Sequence, residues 1–310
     1  MNKYTIDILL ATYNGEKYIA QQIYSLLAQT YRDWNLYVAD DGSTDNTLEI
    51  IKSIMSNDDR LNIIEFEKPV KSAGKNFWRL LPYSKADFTI FCDQDDIWLN
   101  CKLTELLNMA KTSFDNTRPC LVYCDTYIYD EKLKKITSNT LYPITFDSIE
   151  DFIFRNGGYQ GSSTLFNRAL KNKALTYNAK DMYIHDEIVA LLAHCFGSVF
   201  HLDKPLMLYR IHESNVIAEN NVGSVFKKRI KQVLFRNSYV IYKPSYKSKA
   251  NFFKFFKSEM ISQQINLFEK YFTYCNSSLL KRLFLSVSGK MTKSRFYLIY
   301  RTLTKQTFSE

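Results

Sequence analysis

Asp93-Gln94-Asp95-Asp96 follows the apolar run 88–92 (FTIFC) and precedes Ile97-Trp98. Alternating carboxylates at a strand end can converge on a hard divalent cation, and such a cation clamps phosphate oxygens. A solvated acidic turn has the same composition; the position between two buried-type runs favours the cation. Asp40-Asp41-Gly42-Ser43 ends a second apolar run, 34–39 (WNLYVA). A carboxylate there can accept the imide N–H of a pyrimidine, with Tyr13 stacking on the ring. A turn with a helix cap, or simple packing of Tyr13, would look alike. His185-Asp186-Glu187 opens an apolar helix, where exposed N–H groups stabilise a charged carboxylate, as suits a general base or a cap. His212 follows the strand-like run 204–208 and can ligate a metal or a diphosphate, or be an ordinary loop histidine.

These residues need elements to position them. Residues 4–12 (YTIDILLAT) read as a buried strand, and 15 onward as a helix with Ile19, Ile23, Leu26 and Leu27 on one face. Strands follow at 34–39, 61–66, 88–92 and 120–129, and helices at 47–55, 75–84 and 183–196. Thr44-Asp45-Asn46 is the cap region of the second helix. Alternation of strand and helix predicts an α/β fold around a mostly parallel sheet. In such sheets ligands sit beyond the carboxyl ends of the strands. Three of these ends carry polar clusters: Thr12-Tyr13-Asn14, Asp40-Asp41 and Asp93 to Asp96.

Several nucleotide and hydrolase signatures are absent. No GxGxxG follows the first strand, Gly74-Lys75 lacks the earlier glycine of a Walker loop, and there is no Gly-x-Ser-x-Gly. The six cysteines show no CxxC and no zinc-site spacing, so they read as reduced thiols of a cytoplasmic protein. No signal peptide and no apolar run long enough to span a bilayer is present.

The charge divides the chain. Overall, 41 Lys+Arg stand against 32 Asp+Glu; residues 222–310 hold 18 and 3 of these, so residues 1–221 hold 23 and 29. An acidic body that can hold a cation is thus followed by a basic tail carrying 18 of the 47 aromatic residues. The expected division is a catalytic domain, 1–221, and a mainly helical region, 222–310, that associates with an anionic membrane or drives oligomerisation.

Taken in order, TYNGE, VADDGSTDNT, CDQDDIW, GSST, HDE and YRIH resemble the motifs of family 2 glycosyltransferases, closest to the bacterial rhamnosyltransferase-like branch that makes capsules and O-antigens. The resemblance covers about residues 4–217. It implies the GT-A fold, a nucleotide-diphosphate sugar donor, a divalent metal (manganese or magnesium) and inversion at the anomeric carbon. By matching position, it implies donor-binding roles for Thr12, Tyr13, Glu16, Asp41, Lys75, Asp93 and Gln94. It likewise assigns acceptor-side roles to Gly161, Ser162, Ser163, Thr164 and Glu187, metal binding to Asp95 and His212, and the base to Asp186. The branch often has an aromatic pair after His-Asp where this chain has Glu187-Ile188, and it differs around His212 too, which leaves the donor sugar open. Rhamnose from a thymidine diphosphate donor is the first expectation, then a uridine diphosphate sugar. The acceptor is expected to be a glycan or lipid-linked hydroxyl at the inner face of the cell membrane.

Two other classes compete. A metal-dependent nucleotidyltransferase also uses strand-end carboxylates, but would carry a Gly-rich or basic triphosphate loop early in the chain. A nucleic-acid-binding protein could use the basic tail, but the acidic body would repel a polyanion, so no nucleic acid is expected.

Overall fold

A computed structural model of the chain describes residues 4–56, 58–138, 148–155, 159–178, 180, 182–212, 239–289, 291–292, 295–304 and 306–308. They fall into two compact units. The first comprises residues 1–145, 159–180 and 184–212, the second 146–158, 181–183 and 213–310.

The first unit is built on one sheet. Strand β1 (Ile6–Thr12) leads to helix α1 (Ile19–Leu27), β2 (Trp34–Asp40), α2 (Thr47–Met55) and β3 (Leu61–Ile63). Helix α3 (Ala73–Leu80) and a 3-10 turn (Leu81–Tyr83) precede β4 (Phe88–Cys92) and the short β5 (Ile97–Trp98). Then come α4 (Lys102–Ser113), β6 (Cys120–Asp130) and β7 (Lys135–Ser138). Another 3-10 turn (Gly161–Ser163) enters β8 (Thr164–Asn167), followed by α6 (Arg168–Leu175), α7 (His185–Phe196) and β9 (Ser198–Ile211); helix α5 (Ile149–Arg155) belongs to the second unit. The strand order is β3-β2-β1-β4-β8-β6-β9-β5, with β7 paired to β6. The β1–β2, β2–β3, β1–β4 and β6–β9 pairs are parallel, while β8 runs antiparallel to β4 and β6.

The core explains the strand choice. Every residue of β4 is buried, and Ile6, Ile8, Leu10, Leu36, Val38 and Ile90 are fully inaccessible. They pack with Ile19, Ile23 and Leu26 of α1, the face read from the sequence. A strand covered on both sides needs a continuous apolar run rather than alternation. Register then sets the polar ends level: Thr12 lies opposite Asp40, and Leu10 opposite Cys92, two residues before Gln94.

One close approach fixes the other half of the sheet. A Cβ on Gly197 would stand 1.6 Å from Pro119 O, and Ser198 N–H donates to that same oxygen at 3.0 Å. The backbone after α7 therefore lies directly against the start of β6, and β9 pairs from Cys120↔Ser198 to Asp130↔Ile211. β9 is longer than the 204–208 run suggests, because its first half has no buried residue: Ser198 to Leu202 are half-buried, and Asp203 and Lys204 are exposed.

In the second unit, helices Lys243–Phe256, Ser262–Cys275, Leu279–Ser288 and Arg295–Thr304 follow β10 (Tyr239–Ile241), which pairs in parallel with β11 (Gln306–Phe308). Phe252, Phe256, Phe268, Tyr271 and Tyr274 form its buried centre, with Phe154 edge-on to Tyr271 at 5.4 Å. Many tail aromatics are thus core. Residues 222–238 of the expected helical region lie outside the described residues. No helix among the described residues is long and apolar enough to cross a membrane. None of the six cysteines forms a disulfide.

Candidate active site

The first two motifs interlock. Asn14 sits in the left-handed region (φ 46°), which lets its side chain and backbone face the next loop. Its N–H donates to Ser43 Oγ at 2.9 Å, and its Oδ1 accepts from Thr44 N–H at 2.8 Å. Gly15 N–H donates to Thr47 Oγ1 at 2.8 Å. Glu16 Oε2 accepts from the backbone and side chain of Asn46, at 3.0 and 2.8 Å. Glu16 therefore satisfies an N–H at the entry to α2, and Asp45 Oδ1 satisfies that of Thr47 at 3.0 Å. Tyr13, 54% exposed, is open to a planar partner.

Asp41 is buried at the end of β2. Its two carboxylate oxygens accept from Val70 N–H at 2.6 Å and Ser72 N–H at 3.1 Å, with an Arg79 guanidinium nitrogen 3.5 Å away. Those bonds pin residues 70–72 and the start of α3, where Ser72 Oγ caps Lys75 N–H at 3.4 Å and the Lys75 side chain is exposed. Gln94 ties this donor half to β4: its Oε1 accepts from Thr12 Oγ1 at 2.6 Å and from Tyr13 N–H at 2.9 Å.

The second half of the site is acidic. His212 Nε2 lies 2.9 Å from Asp95 Oδ2, and its ring packs on Tyr18 with centroids 4.5 Å apart. Burial and the neighbouring Asp95 charge raise the Asp93 carboxyl above its ordinary value, against the Ser162 hydroxyl and Lys102. Burial also raises Asp96. Asp186, on the first turn of α7, is raised to about 7, first by burial and then by the Asp93 charge; N–H groups of Glu187 and Gly161 oppose the rise. Asp93 and Asp186 thus share one electrostatic environment, although 93 residues separate them in sequence. Asp186 is partly exposed, whereas Glu187 is 6% exposed. A carboxyl poised near neutral pH and open to a ligand can take a proton in a reaction.

The segment 161–164 is buried. Ser162 Oγ donates to Asp96 Oδ2 at 3.0 Å, Ser163 Oγ to Gln160 O at 2.9 Å, and Thr164 Oγ1 to Gly161 O at 2.8 Å. These hydroxyls bond within the protein, so the segment presents shape and backbone rather than free hydroxyls.

Asp95 and His212 offer a carboxylate oxygen and an imidazole nitrogen 2.9 Å apart, a pair compatible with manganese or magnesium. A separate group, Asp125, His201 and Asp203, brings three ligand atoms within 4.8 Å of one another, the His201 nitrogen 3.1 Å from Asp125.

Two residues of the site escaped the motif reading. Arg210, 4% exposed, donates to Asp95 O at 2.9 Å and pairs with Glu131 and Gln21, bracing the DQDD loop. Lys102 is fully buried beneath the loop. Its signal was legible: Lys102, Leu106 and Ala110 fall on one helical stripe, so a lysine occupies an apolar face.

The chain is similar to known proteins over much of its length. The profile described as "Glycosyl transferase family 2" matches residues 7–173. A dTDP-rhamnosyl transferase, RfbG of Shigella flexneri, is 30% identical over 249 residues, 74% of this chain and 80% of that protein. An Escherichia coli UDP-Glc:alpha-D-GlcNAc-diphosphoundecaprenol beta-1,3-glucosyltransferase, WfgD, is 37% identical over 109 residues, 35% of this chain and 42% of that one. Among solved structures, S. aureus TarS 1-349 in complex with UDP-GlcNAc superposes with a TM-score of 0.62 at 16% identity, covering 96% of this chain and 79% of that one. The Pyrobaculum calidifontis mannosyltransferase PcManGT, in complex with GDP-Man and Mn2+, gives 0.56 at 14% identity, covering 98% and 84%. These likenesses show a GT-A fold.

Proposed function

The chain belongs to glycosyltransferase family 2, and from that premise we propose that it is an inverting, metal-dependent transferase of cell-surface polysaccharide synthesis. The observation that carries this reading is the Asp95–His212 pair, 2.9 Å apart, which joins the end of β9 to the acidic loop after β4. Tyr13 stacks on the nucleotide base and Asp41 faces its edge, with Thr12, Glu16, Lys75, Asp93 and Gln94 lining the rest of the donor. Asp186 takes the proton of the acceptor hydroxyl. The freed oxygen bonds to the anomeric carbon from the face opposite the diphosphate, the carbon–oxygen bond to diphosphate breaks, and a nucleoside diphosphate leaves. One base suffices for a single displacement with inversion. Asp95 and His212 would hold a divalent cation that, when bound, supplies positive charge beside the departing diphosphate.

The likeness to RfbG favours dTDP-rhamnose as donor, and WfgD makes a UDP-sugar the next choice. The experiment is a panel of nucleotide sugars with and without manganese, reading release of nucleoside diphosphate. Turnover of one donor that depends on manganese supports the reading; nucleotide transfer from a triphosphate in its place overturns it.

The acceptor is a glycan or lipid-linked hydroxyl, met at the inner face of the membrane. Support lies in helices Leu279–Ser288 and Arg295–Thr304. Leu280, Phe284 and Val287 are 79, 67 and 57% exposed, and Phe296, Tyr300 and Leu303 are 87, 51 and 50% exposed, each set at i, i+4, i+7 spacing. Residues 279–305 contain seven Lys or Arg and no Asp or Glu. Apolar side chains enter a bilayer interface while basic ones meet anionic headgroups. A homo-oligomer through the same faces would set like charges against each other.

A further inference from the structure

Lys102 is the first residue of α4 and has no exposed surface. Its Nζ donates to Ser162 O at 2.6 Å, lies 3.1 Å from Met207 Sδ, and sits 3.6 Å from the centre of the Trp98 ring. An ammonium has three N–H donors, and these three partners account for them. Burying a charge is costly unless it is paired. The Asp93 and Asp96 carboxyl groups lie within electrostatic reach of it.

The carbonyl it holds belongs to the turn Gly161–Ser163, and the other groups of that turn reach the site. Gly161 N–H holds the Asp186 carboxyl down against the rise that burial causes. Ser162 Oγ donates to Asp96. The Gly161 α-carbon faces His185: a Cβ there would stand 2.6 Å from His185 Nε2. The His185 ring nitrogens are buried without a hydrogen-bond partner, and the ring is stacked on Phe77 at 4.1 Å and edge-on to Phe91 at 4.5 Å. Packing alone holds that ring, so it offers the turn a wall and no bond. The directional grip on the Ser162 carbonyl comes from Lys102.

We propose that Lys102 is a positioning residue for the transfer: by holding the Ser162 carbonyl it seats the Gly161 turn against His185, and with it the adjoining Asp186 carboxylate, at the height the acceptor hydroxyl requires. This rests on the reading of Asp186 as the base. Lys102 makes no bond to Thr12, Tyr13 or Asp41, whose contacts run through Gln94 and residues 70–72. Loss of its charge should therefore slow turnover while leaving nucleotide binding intact.

The test is a double-mutant cycle in the full chain, reading nucleoside diphosphate release from the donor found by the panel, and UDP and dTDP binding by calorimetry. Lys102→Met keeps the length and removes the donors. Its kcat should fall about 100-fold, the order expected for a 1 Å misplacement, with donor KM within about twofold. In an Asp186→Asn background the same change should do nothing more, because the group it positions is gone. Lys102→Met/Asp96→Asn removes both charges and should behave like Lys102→Met; it replaces the single variant if that fails to fold. Wild-type turnover in Lys102→Met, a further loss of similar size in the Asp186→Asn background, or weakened nucleotide binding overturns the inference. Near-normal turnover of Asp186→Asn alone removes the base reading and this inference with it, a result distinct from the other three.

Discussion

Gln94 holds Tyr13 by both ends of its amide: Oε1 accepts from Tyr13 N–H at 2.9 Å, and Nε2 donates to Tyr13 O at 3.1 Å. The same Oε1 accepts from Thr12 Oγ1 at 2.6 Å. Gln94→Ala should free the backbone that aims Tyr13 and weaken UDP or dTDP binding about tenfold, since one or two neutral hydrogen bonds are worth about 1 kcal/mol each. Gly15→Ala should do the same from the other side, because its Cβ would stand 2.4 Å from Gln94 Oε1. Calorimetry on both variants checks this, and unchanged affinity in both would remove Gln94 from the donor site.

Asp186→Asn should lower turnover by about 10²–10⁴-fold, as removal of a general base does, with little change in nucleotide binding. A base must be ionised to act, so wild-type turnover should rise with pH through about 7 and then level. That limb should vanish in the variant. A variant within a few-fold of wild type would move the base elsewhere, Glu187 being the nearest carboxylate.

Asp95→Ala should abolish manganese-supported nucleotide binding, and His212→Ala should weaken it. Titrations of UDP and dTDP with and without manganese read this directly. If both variants keep the metal effect, the cation sits elsewhere, and Asp125, His201 and Asp203 are the first alternative.

Asp41 separates two roles. Asp41→Ala leaves the half-buried Val70 and Ser72 N–H groups without acceptors, which costs at most about 1–3 kcal/mol each. Asp41→Asn keeps one acceptor oxygen and should lose less stability. Urea unfolding beside nucleotide titration checks whether affinity falls beyond what the stability loss explains.

Much of this arrangement was legible in the chain. β1 and β4 are covered on both faces, so their apolar runs mark them without ambiguity, and the limits of β4 follow from the sequence to the residue. β9 was read short because Ser198 to Lys204 are only half covered. The motif carboxylates were found by type and place. Their partners were not: Asp41 bonds to the N–H groups of residues 70 and 72, which any residue supplies, so no side-chain pattern announces it. Arg210 was invisible for a related reason, since its partners Gln21, Asp95 and Glu131 come from three distant segments.

His185 and His194 give the protein an acid-sensitive point. Burial depresses them to about 3 and about 4. The unfolded chain binds protons at these residues below about 6.5, and the folded form refuses them until the lower values, so stability falls as pH drops through that window. His185→Phe should unfold less readily than wild type at pH 4 relative to pH 7. Equal pH dependence in urea titrations would show that the ring is protonated without cost.

For the tail, the full chain should sediment with anionic liposomes at low salt and be released by high salt. Replacing Leu280, Phe284 and Phe296 with Ser should remove the apolar part of that binding. Indifference of the full chain to anionic vesicles would leave these faces to another partner.

Gly197 has a consequence far from its own position. Because no side chain fits between it and Pro119 O, β9 enters the sheet in one place, Cys120↔Ser198, and two register shifts between Cys124 and Tyr127 then carry the pairing on to Asp130↔Ile211. Arg210 and His212 stand at the far end of that strand. A side chain at 197 would act as a miscut gauge: the fold could survive a local shift, but the strand would deliver its last residues out of step with Asp95. A surface far from any ligand thus calibrates where the site closes.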